Sequence, residues 1–426
     1  MSFLKRTLKS SIQEPKLQLW NLPNNTRCVA GHIPDAPLIC LDLWFQAGSV
    51  FEKKGEEGLA HFLEHMVFKG SEKLNEGEFD KNIEFLGGSS NAATGFDDVH
   101  FHVQVPPNVI EPALDLLLNL VLTPSLKQKA FEIEKEVVLE EIAQNEDQPD
   151  EKIFQKLLEF CWSNHAYGRP ILGYKNSLKL IEPETMRSFH NKRYKSDNCA
   201  LAIAGEIPKE IENIVNNSLL CSLNKSSENE ENSIKYGFPK FQIGHKVIEI
   251  ERLESARIIM AWPIPEAKKQ EIIMGADIAT SILCEGRRSR LVQRLREELQ
   301  IVESIEMDIT VLEQGGLIIL EACCQKEDIL RVESEIHKVL KESIEQITNK
   351  KEINRAYNLI KNSLCFNLEI SSQVASQAGS QVLWNRPQSL LTPIKYIKRW
   401  TSNRLHTEIF NRIQPELSCT LIVKPK

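Results

Sequence analysis

Residues 56–71 read EEGLAHFLEHMVFKGS and contain the spacing His61-Phe62-Leu63-Glu64-His65. Apolar residues are too frequent here for a surface helix, and Gly70 is placed as a C-terminal stop, so the stretch predicts a buried helix over 58–69. Histidines four positions apart share one helix face and can reach one ion, with Glu64 beside them. The stretch therefore predicts a helix that carries a zinc site.

The main alternative is an ordinary helix in which two histidines and a glutamate are satisfied by their neighbours. The apolar surroundings argue against it, because burying an unpaired glutamate with two imidazoles costs several kcal/mol unless a cation compensates. The metal interpretation is therefore preferred from the residues alone.

The rest of the chain alternates between strand-like and helix-like segments. Strands are expected at 17–22, 27–31, 38–45 and 199–205, extended chain at 89–105, and helices at 79–86, 110–122, 127–146, 151–160 and 183–194. Residues 224–233, reading NKSSENEENS, are polar and aperiodic, which is typical of a linker.

Beyond this linker the order repeats coarsely, with strands at 246–250, 256–262, 316–324 and 419–423 and helices between 270 and 400. Two halves of similar plan indicate a duplicated unit. We therefore predict a mixed α+β fold (α/β in content) of two tandem homologous α/β-roll domains, each a mostly antiparallel sheet packed with helices. Their predicted bounds are 1–223 and 236–426, joined by a linker at 224–235.

Composition narrows the classes of function. The chain has 426 residues, 42% hydrophobic and 26% charged, which is ample for a packed core. Lys and Arg number 52 against 59 Asp and Glu, for a net charge of −7, so a nucleic-acid partner is not expected. No apolar run reaches the roughly 20 residues that span a bilayer, and no signal-peptide pattern is present, so no membrane association is expected.

The ten cysteines are scattered, show no CxxC motif and mostly adjoin apolar residues. That usage indicates a reducing compartment with cysteine as a small core residue. We expect a cytoplasmic protein in a bacterium, with chloroplast stroma or mitochondrial matrix as the alternative in a eukaryote.

Three further stretches join residues 56–71 in a family resemblance: GGSSNAATGFDD at 87–98, EKEVVLEEI at 134–142 and HAYGRPILG at 165–173. Together they resemble the pitrilysin/insulinase family of inverted-zincin (HxxEH) metallopeptidases, most closely its short processing-peptidase-like members. The resemblance is most specific in the first 175 residues and looser beyond them. It implies a zinc-dependent endopeptidase that cleaves short or unfolded peptides.

The resemblance also implies the remaining ligand. Glutamates crowd the helix predicted at 127–146, and composition cannot choose among them; they are Glu132, Glu134, Glu136, Glu140 and Glu141. The family's third zinc ligand matches Glu141, completing one Zn²⁺ site per chain with His61 and His65. Glu134 matches a family carboxylate near the metal, interpreted as supporting a ligand. Glu64 is then the catalytic general base, and Glu136 and Glu140 are expected to face solvent.

The segment 87–92 is small and polar, which suits an edge strand approached by another chain. In the family this strand pairs with the extended substrate, and Asn91 and Ala92 match positions beside the scissile bond. His100 and His102 alternate along a predicted strand and could bind metal, but ordinary packing is preferred. The segment 165–169, with His165, Tyr167 and Arg169, is interpreted as mainly structural.

The sequence departs from the family in its second half. The family completes its site with an arginine and, seven residues later, a tyrosine that together hold the substrate and stabilise the oxyanion. Arg296 matches the arginine, but Glu303 stands at the tyrosine position and cannot donate a hydrogen bond when ionised.

Some short members of the family act as unlike pairs, and this sequence matches the zinc-bearing member. We therefore expect a homodimer, or a heterodimer with a related chain that carries the Arg/Tyr pair. The alternatives are a non-catalytic scaffold and a partner-binding module with structural zinc. Retention of the metal residues argues against the first, and retention of Glu64 against the second.

Overall fold

The structure, a computed structural model, describes residues 14–226 and 237–426. Most of the predicted linker at 224–235 lies outside the described residues, so the domain boundary stays a prediction. The strands are β1 (Lys16–Asn21), β2 (Arg27–His32), β3 (Ile39–Phe45), β4 (Ser89–Thr94), β5 (Val99–Val105), β6 (Cys199–Gly205), β7 (Gly244–Ile250), β8 (Ala256–Ile264), β9 (Ser304–Leu312), β10 (Gly315–Cys324) and β11 (Cys419–Pro425).

Helices follow the strands in both halves. They are α1 (Leu59–Val67), α2 (Glu78–Phe85), α3 (Ile110–Leu122), α4 (Gln128–Asp147), α5 (Pro149–Cys161), α6 (Lys175–Leu180), α7 (Pro183–Arg193), α8 (Ile211–Asn216), α9 (Gln270–Cys284), α10 (Ile329–Glu345), α11 (Lys350–Asn367), α12 (Ser371–Leu383), α13 (Thr392–Ile397) and α14 (Ser402–Glu408). A π-helix spans Val292–Glu298.

The two sheets share one plan. The first has the order β1-β2-β6-β3-β5-β4 and the second the order β7-β11-β8-β10-β9. Each sheet contains one parallel pair, β2 with β6 in the first and β7 with β11 in the second. The other pairs are antiparallel, and the strands after the parallel pair follow in corresponding order. Over the residues that the structure describes, the second sheet thus repeats the first without a counterpart of β1. This confirms the predicted mixed α+β fold with mostly antiparallel sheets.

Successive side chains of the central strands point to opposite faces of the first sheet. On β5, Val99, Phe101 and Val103 are buried in the core formed with α1 to α4, whereas His100 and His102 lie on the opposite face. A strand directs successive side chains to opposite faces, which produces this division.

Each half covers the sheet of the other. Helix α12, from the second half, packs on β2, β3 and β6. A side chain at Gly379 on α12 would place its Cβ 2.5 Å from Trp44 Nε1, so glycine allows this close approach. Helix α5, from the first half, packs against β8 and β11. The two halves therefore share buried apolar surface.

Local predictions failed in two places. The extended chain expected over 89–105 is a hairpin of β4 and β5, turned at Gly95, whose N–H donates to Asp98 O at 2.7 Å. Strand β9 was not predicted, although its residues from Ser304 to Val311 alternate between polar and apolar, as a half-buried edge strand should.

Two expectations from composition were correct. Eight of the ten cysteines are buried, as expected for small core residues. Among the described residues, no helix combines the length and apolarity that crossing a membrane would require.

Candidate metal centre

Helix α1 presents two unlike faces. Leu59, Phe62, Leu63 and Met66 are fully buried in the core of the first half. His61, Glu64 and His65 lie on the remaining side and are half-buried. The apolar face anchors the helix, and this anchoring holds the three polar side chains at the surface of the core.

The start of α1 is held by a glutamate that sequence analysis did not find. Gly58 has φ of 96°, which favours glycine, and precedes the first helical residue. The buried Glu52 carboxylate accepts the N–H groups of Gly58 at 3.1 Å and Ala60 at 2.8 Å. Burial raises the pKa of Glu52 to about 8. This side chain satisfies two of the free N–H groups that begin every helix.

Helix α4 brings a carboxylate to the two imidazoles. Glu141 Oε1 lies 3.8 Å from His61 Nε2, and Glu141 Oε2 lies 3.4 Å from His65 Nε2. One ligand atom from each of the three residues lies within 4.8 Å of the others. These separations are long for direct hydrogen bonds, and two imidazole nitrogens with one carboxylate form a ligand set that zinc prefers. The residues therefore fit a zinc ion.

The site is more open than the sequence argument assumed. We expected four buried polar groups, but the exposed fraction is 13% for the side chain of His61, 23% for that of His65 and 41% for that of Glu141. Burial, together with His65, lowers the pKa of His61 to about 4, so its ring is neutral at pH 7. A neutral imidazole is the form that binds a metal. Partial exposure leaves room for a substrate to approach.

A second carboxylate on α4 orients His65. Glu134 Oε1 lies 2.9 Å from His65 Nδ1, and its other oxygen lies 2.7 Å from Lys69 Nζ. The hydrogen bond at Nδ1 leaves Nε2 directed to the cluster, which is how a carboxylate supports a metal-binding histidine. Sequence analysis placed Glu134 near the site but missed Lys69, since nothing in the pattern connects the two. Glu136 and Glu140 are exposed, as predicted.

Glu64 lies outside the three-residue cluster and faces the edge strand β4. Its Oε2 accepts a hydrogen bond from the Thr94 hydroxyl. Burial raises the pKa of Glu64, and the Thr94 hydrogen bond opposes that shift. Thr94 was not found from the sequence, because a threonine in a small polar strand carries no distinctive signal.

Strand β4 pairs with β5 along one edge, and it is the last strand of the first sheet. Asn91 is exposed, and its side-chain oxygen accepts the N–H of Ala92 at 2.9 Å. This contact indicates that the Ala92 N–H faces the open edge of the sheet. The edge therefore offers a backbone donor to an incoming extended chain.

The two predicted positions of the second half lie away from this cluster. Arg296, on the π-helix, pairs with Glu297 and lines a cleft of about 600 Å³ together with Asp277. All of the described residues that line this cleft belong to the second half. The structure of one chain therefore does not bring Arg296 to the metal residues.

Glu303 is held by hydrogen bonds that favour its charged form. It accepts from Cys323 Sγ, Ser255 Oγ and Gln325 Nε2, at 3.2, 2.9 and 2.7 Å. These contacts, that of Cys323 first, lower the pKa of Glu303. It remains an ionised acceptor and cannot replace a tyrosine hydroxyl.

His165 and Tyr167 join the two halves, in agreement with a structural role. The Tyr167 hydroxyl donates to Asp97 Oδ1 at 2.6 Å and accepts the N–H of Gln314 at 3.1 Å. His165 Nε2 lies 3.2 Å from Gln314 Oε1. Asp97 Oδ2 also accepts the N–H of Glu313 at 2.9 Å. These bonds fasten the turn between β9 and β10 to the first half.

Comparison with family models and curated proteins gives consistent matches. Residues 27–175 match the family described as insulinase (peptidase family M16), and residues 181–360 match the peptidase M16 inactive domain. An uncharacterized zinc protease of Rickettsia bellii is 26% identical over 348 residues, which cover 80% of this chain and 82% of that protein. An uncharacterized zinc protease of Bacillus subtilis is 24% identical over 370 residues, covering 86% and 88%.

Solved structures show the same fold. A protease from Helicobacter pylori aligns with a TM-score of 0.88 at 22% identity, covering 97% of this chain and all (100%) of that chain. A peptidase M16 inactive domain from Pseudomonas fluorescens aligns with a TM-score of 0.85 at 18% identity, covering 96% and 98%. With both family matches in tandem and relatives named as zinc proteases, the chain belongs to the insulinase family, peptidase family M16.

Proposed function

We propose that this chain is a zinc-dependent endopeptidase that binds one zinc ion through His61, His65 and Glu141. The observation that carries the proposal is the position of Glu64, which lies beside the three-residue cluster but outside it. A purely structural zinc site is closed by four protein ligands and needs no free carboxylate.

When bound, zinc would polarise the scissile carbonyl and acidify a water molecule. Glu64 takes the proton of the attacking water and passes it to the leaving amine. The Thr94 hydroxyl holds the Glu64 carboxylate, and Glu134 holds His65 through Nδ1. These contacts keep the reacting groups in place before substrate arrives.

The substrate binds as an added strand along β4. The Ala92 N–H exchanges its contact with Asn91 for a carbonyl oxygen of the peptide. Strand addition requires an extended backbone, so short or unfolded peptides are the favoured substrates and folded proteins are excluded.

The active form is a dimer. Glu303 cannot supply the hydrogen bond of the family's tyrosine, and Arg296 lies on the second-half cleft. A related chain that carries the Arg/Tyr pair would complete the site, and a homodimer is the alternative assembly. The cysteines are free, which is typical of proteins in a reducing compartment, and the proposed location is the cytoplasm.

A non-catalytic scaffold is the second candidate, and Glu303 is the specific observation that favours it. The match of residues 181–360 to an inactive domain is also compatible with it. The two candidates differ in whether Glu64 has any effect on turnover.

The test is cleavage of an unstructured fluorogenic peptide by the purified chain, with zinc measured on the same sample. We expect Glu64→Gln to keep its zinc and to lose activity by about 10² to 10⁴-fold, the usual contribution of a general base. The matched control is Glu140→Gln, an exposed glutamate of α4, which leaves both unchanged. Equal, measurable activity of Glu64→Gln and wild type would refute the mechanism. Zinc without cleavage by the chain alone would indicate that a partner carrying the Arg/Tyr pair is missing, and zinc without cleavage in the presence of such a partner would favour the scaffold.

A further inference from the structure

A second cluster of metal-binding side chains lies on the opposite face of the first sheet. It consists of Asp42 on β3 and His100 and His102 on β5, and the strand register places Asp42 directly opposite His102. A carboxylate oxygen of Asp42 and one ring nitrogen of each histidine lie within 4.8 Å of one another. The ligand atoms of the His61, His65 and Glu141 cluster lie within the same distance limit.

The side chains are held in position by packing. The His100 ring stacks on Trp44 with centroids 4.1 Å apart and on His102 with centroids 5.7 Å apart. Asp42 is 1% exposed, and its Oδ1 lies 2.8 Å from His100 Nδ1. Fixed rings and a buried carboxylate limit the reorganisation that binding an ion would need.

The local charge favours a cation. The carboxylates of Asp42, Asp98 and Glu64 all act on His100.

The simpler interpretation is a packed Asp42–His100 hydrogen bond with no ion. That bond satisfies Asp42 and His100 but does not involve His102. No hydrogen bond to the His102 ring is found in the part of the chain that the structure describes. Two ligand atoms each about 2.1 Å from one ion are at most about 4.2 Å apart. Displacements of the ligand atoms by less than about 1 Å would therefore close the cluster around an ion.

We propose that Asp42, His100 and His102 form a second divalent-metal site, separate from the His61 cluster. Two imidazoles and one carboxylate suit a first-row divalent ion such as zinc and leave further positions for water. The site is also next to β4, since Asn91 pairs with His102 and Ala93 with His100 in the strand register. An ion there would stiffen the strand along which the peptide is proposed to bind.

The test is the number of zinc ions bound by the full chain, measured by equilibrium dialysis of metal-free protein against buffered zinc. Four proteins are compared: wild type, His61→Ala/His65→Ala, His102→Gln, and the triple variant. We expect two ions in wild type, one in each of the partial variants and none in the triple variant. Asp42→Asn keeps an acceptor for His100 but removes the charge, and should weaken the second site by about tenfold or more.

His245→Gln is the matched control, because His245 is exposed and contacts Glu333 far from both clusters. It should bind as many ions as wild type. His102 is only half-buried, so a melting curve of His102→Gln should match that of wild type. The proposal is overturned if wild type and His102→Gln bind the same number of ions, or if His61→Ala/His65→Ala binds none. Neither result depends on peptidase activity.

Discussion

The region beside α1, β4 and α4 in the first half, where the metal residues lie, corresponds to the cleft beside α9, β9 and α11 in the second. Both lie next to the edge strand that ends the shared strand order. The first presents two imidazoles and a carboxylate, whereas the second is lined by acidic and small polar side chains such as Asp277, Glu306 and Asp308. No histidine is among its described lining residues.

The difference between the two regions shows that the fold determines where a site can lie, whereas a few side chains determine its chemistry. Asp277 has its pKa raised to about 6 by burial, with a further contribution from Glu285. Zinc prefers nitrogen and sulfur donors to oxygen donors. The lining of the second cleft includes one thiol, that of Cys284, but no imidazole, so it lacks the donor set of the first region although the strand order beside it is the same.

The largest expected effect comes from removing one of the proposed zinc ligands of the first half. His61→Ala should weaken zinc binding by more than about 100-fold, since even residues that only support ligands contribute 10 to 100-fold. Asp277→Asn, at the corresponding cleft, should bind zinc as tightly as wild type. Competition with a chromogenic chelator measures both. Weaker zinc binding by Asp277→Asn would break the comparison.

Glu134→Gln tests whether orientation of His65 matters as much as ligation. Glutamine keeps the shape but loses the charge that faces His65 and Lys69, so zinc affinity should fall by about 10 to 100-fold. The same chelator assay applies. Glu132→Gln, an exposed position on the same helix, is the control and should have no effect. Unchanged zinc affinity in Glu134→Gln would show that the contact between Glu134 and His65 contributes only to packing.

The contact between the halves is tested by Tyr167→Phe. The change removes the hydrogen bond to Asp97 Oδ1 and leaves the Gln314 N–H without its acceptor, so the free energy of unfolding should fall by about 1–3 kcal/mol. Urea unfolding followed by fluorescence measures this loss. Tyr174→Phe, at a tyrosine that is 42% exposed, should change it little. Equal losses in the two variants would argue against a special role for the turn between β9 and β10.

The starts of the corresponding helices α1 and α9 also differ: the buried Glu52 carboxylate accepts N–H groups at the start of α1, whereas α9 begins without a side-chain cap. Glu52 has a folded pKa of about 8 against the ordinary 4.5, so the folded state holds the proton more tightly. Its contribution to stability is therefore full below the unfolded pKa and is lost as pH rises to the folded pKa. Relative to Glu52→Gln, wild type should lose up to about 1.4 kcal/mol per pH unit between these values and level off above pH 8.

Thermal melting of the two proteins from pH 5 to 9 would measure this difference. A gap between wild type and Glu52→Gln that stays constant with pH would show that Glu52 is ionised in the folded state throughout.

Local pattern was sufficient where the signal lies within one element. The helix expected over 58–69 is found at Leu59–Val67, because apolar spacing and a terminal glycine act over a few residues. Strand β9 was missed although its polar and apolar residues alternate, so the local signal was present in the sequence. Lys69 and Thr94 were missed at the site because a lysine or a threonine is informative only once its neighbours in space are known.

The sequence by itself determined the mixed fold of two similar halves, the helix with two histidines on one face, and the loss of the tyrosine at Glu303. These follow from periodicity, from spacing and from a resemblance that is carried by short motifs. Only the tertiary structure showed that Glu141 faces both imidazoles, that Asp42 joins His100 and His102, and that each half covers the sheet of the other. The physical reason is that such contacts join residues far apart in the chain, and they exist only when the whole core has packed.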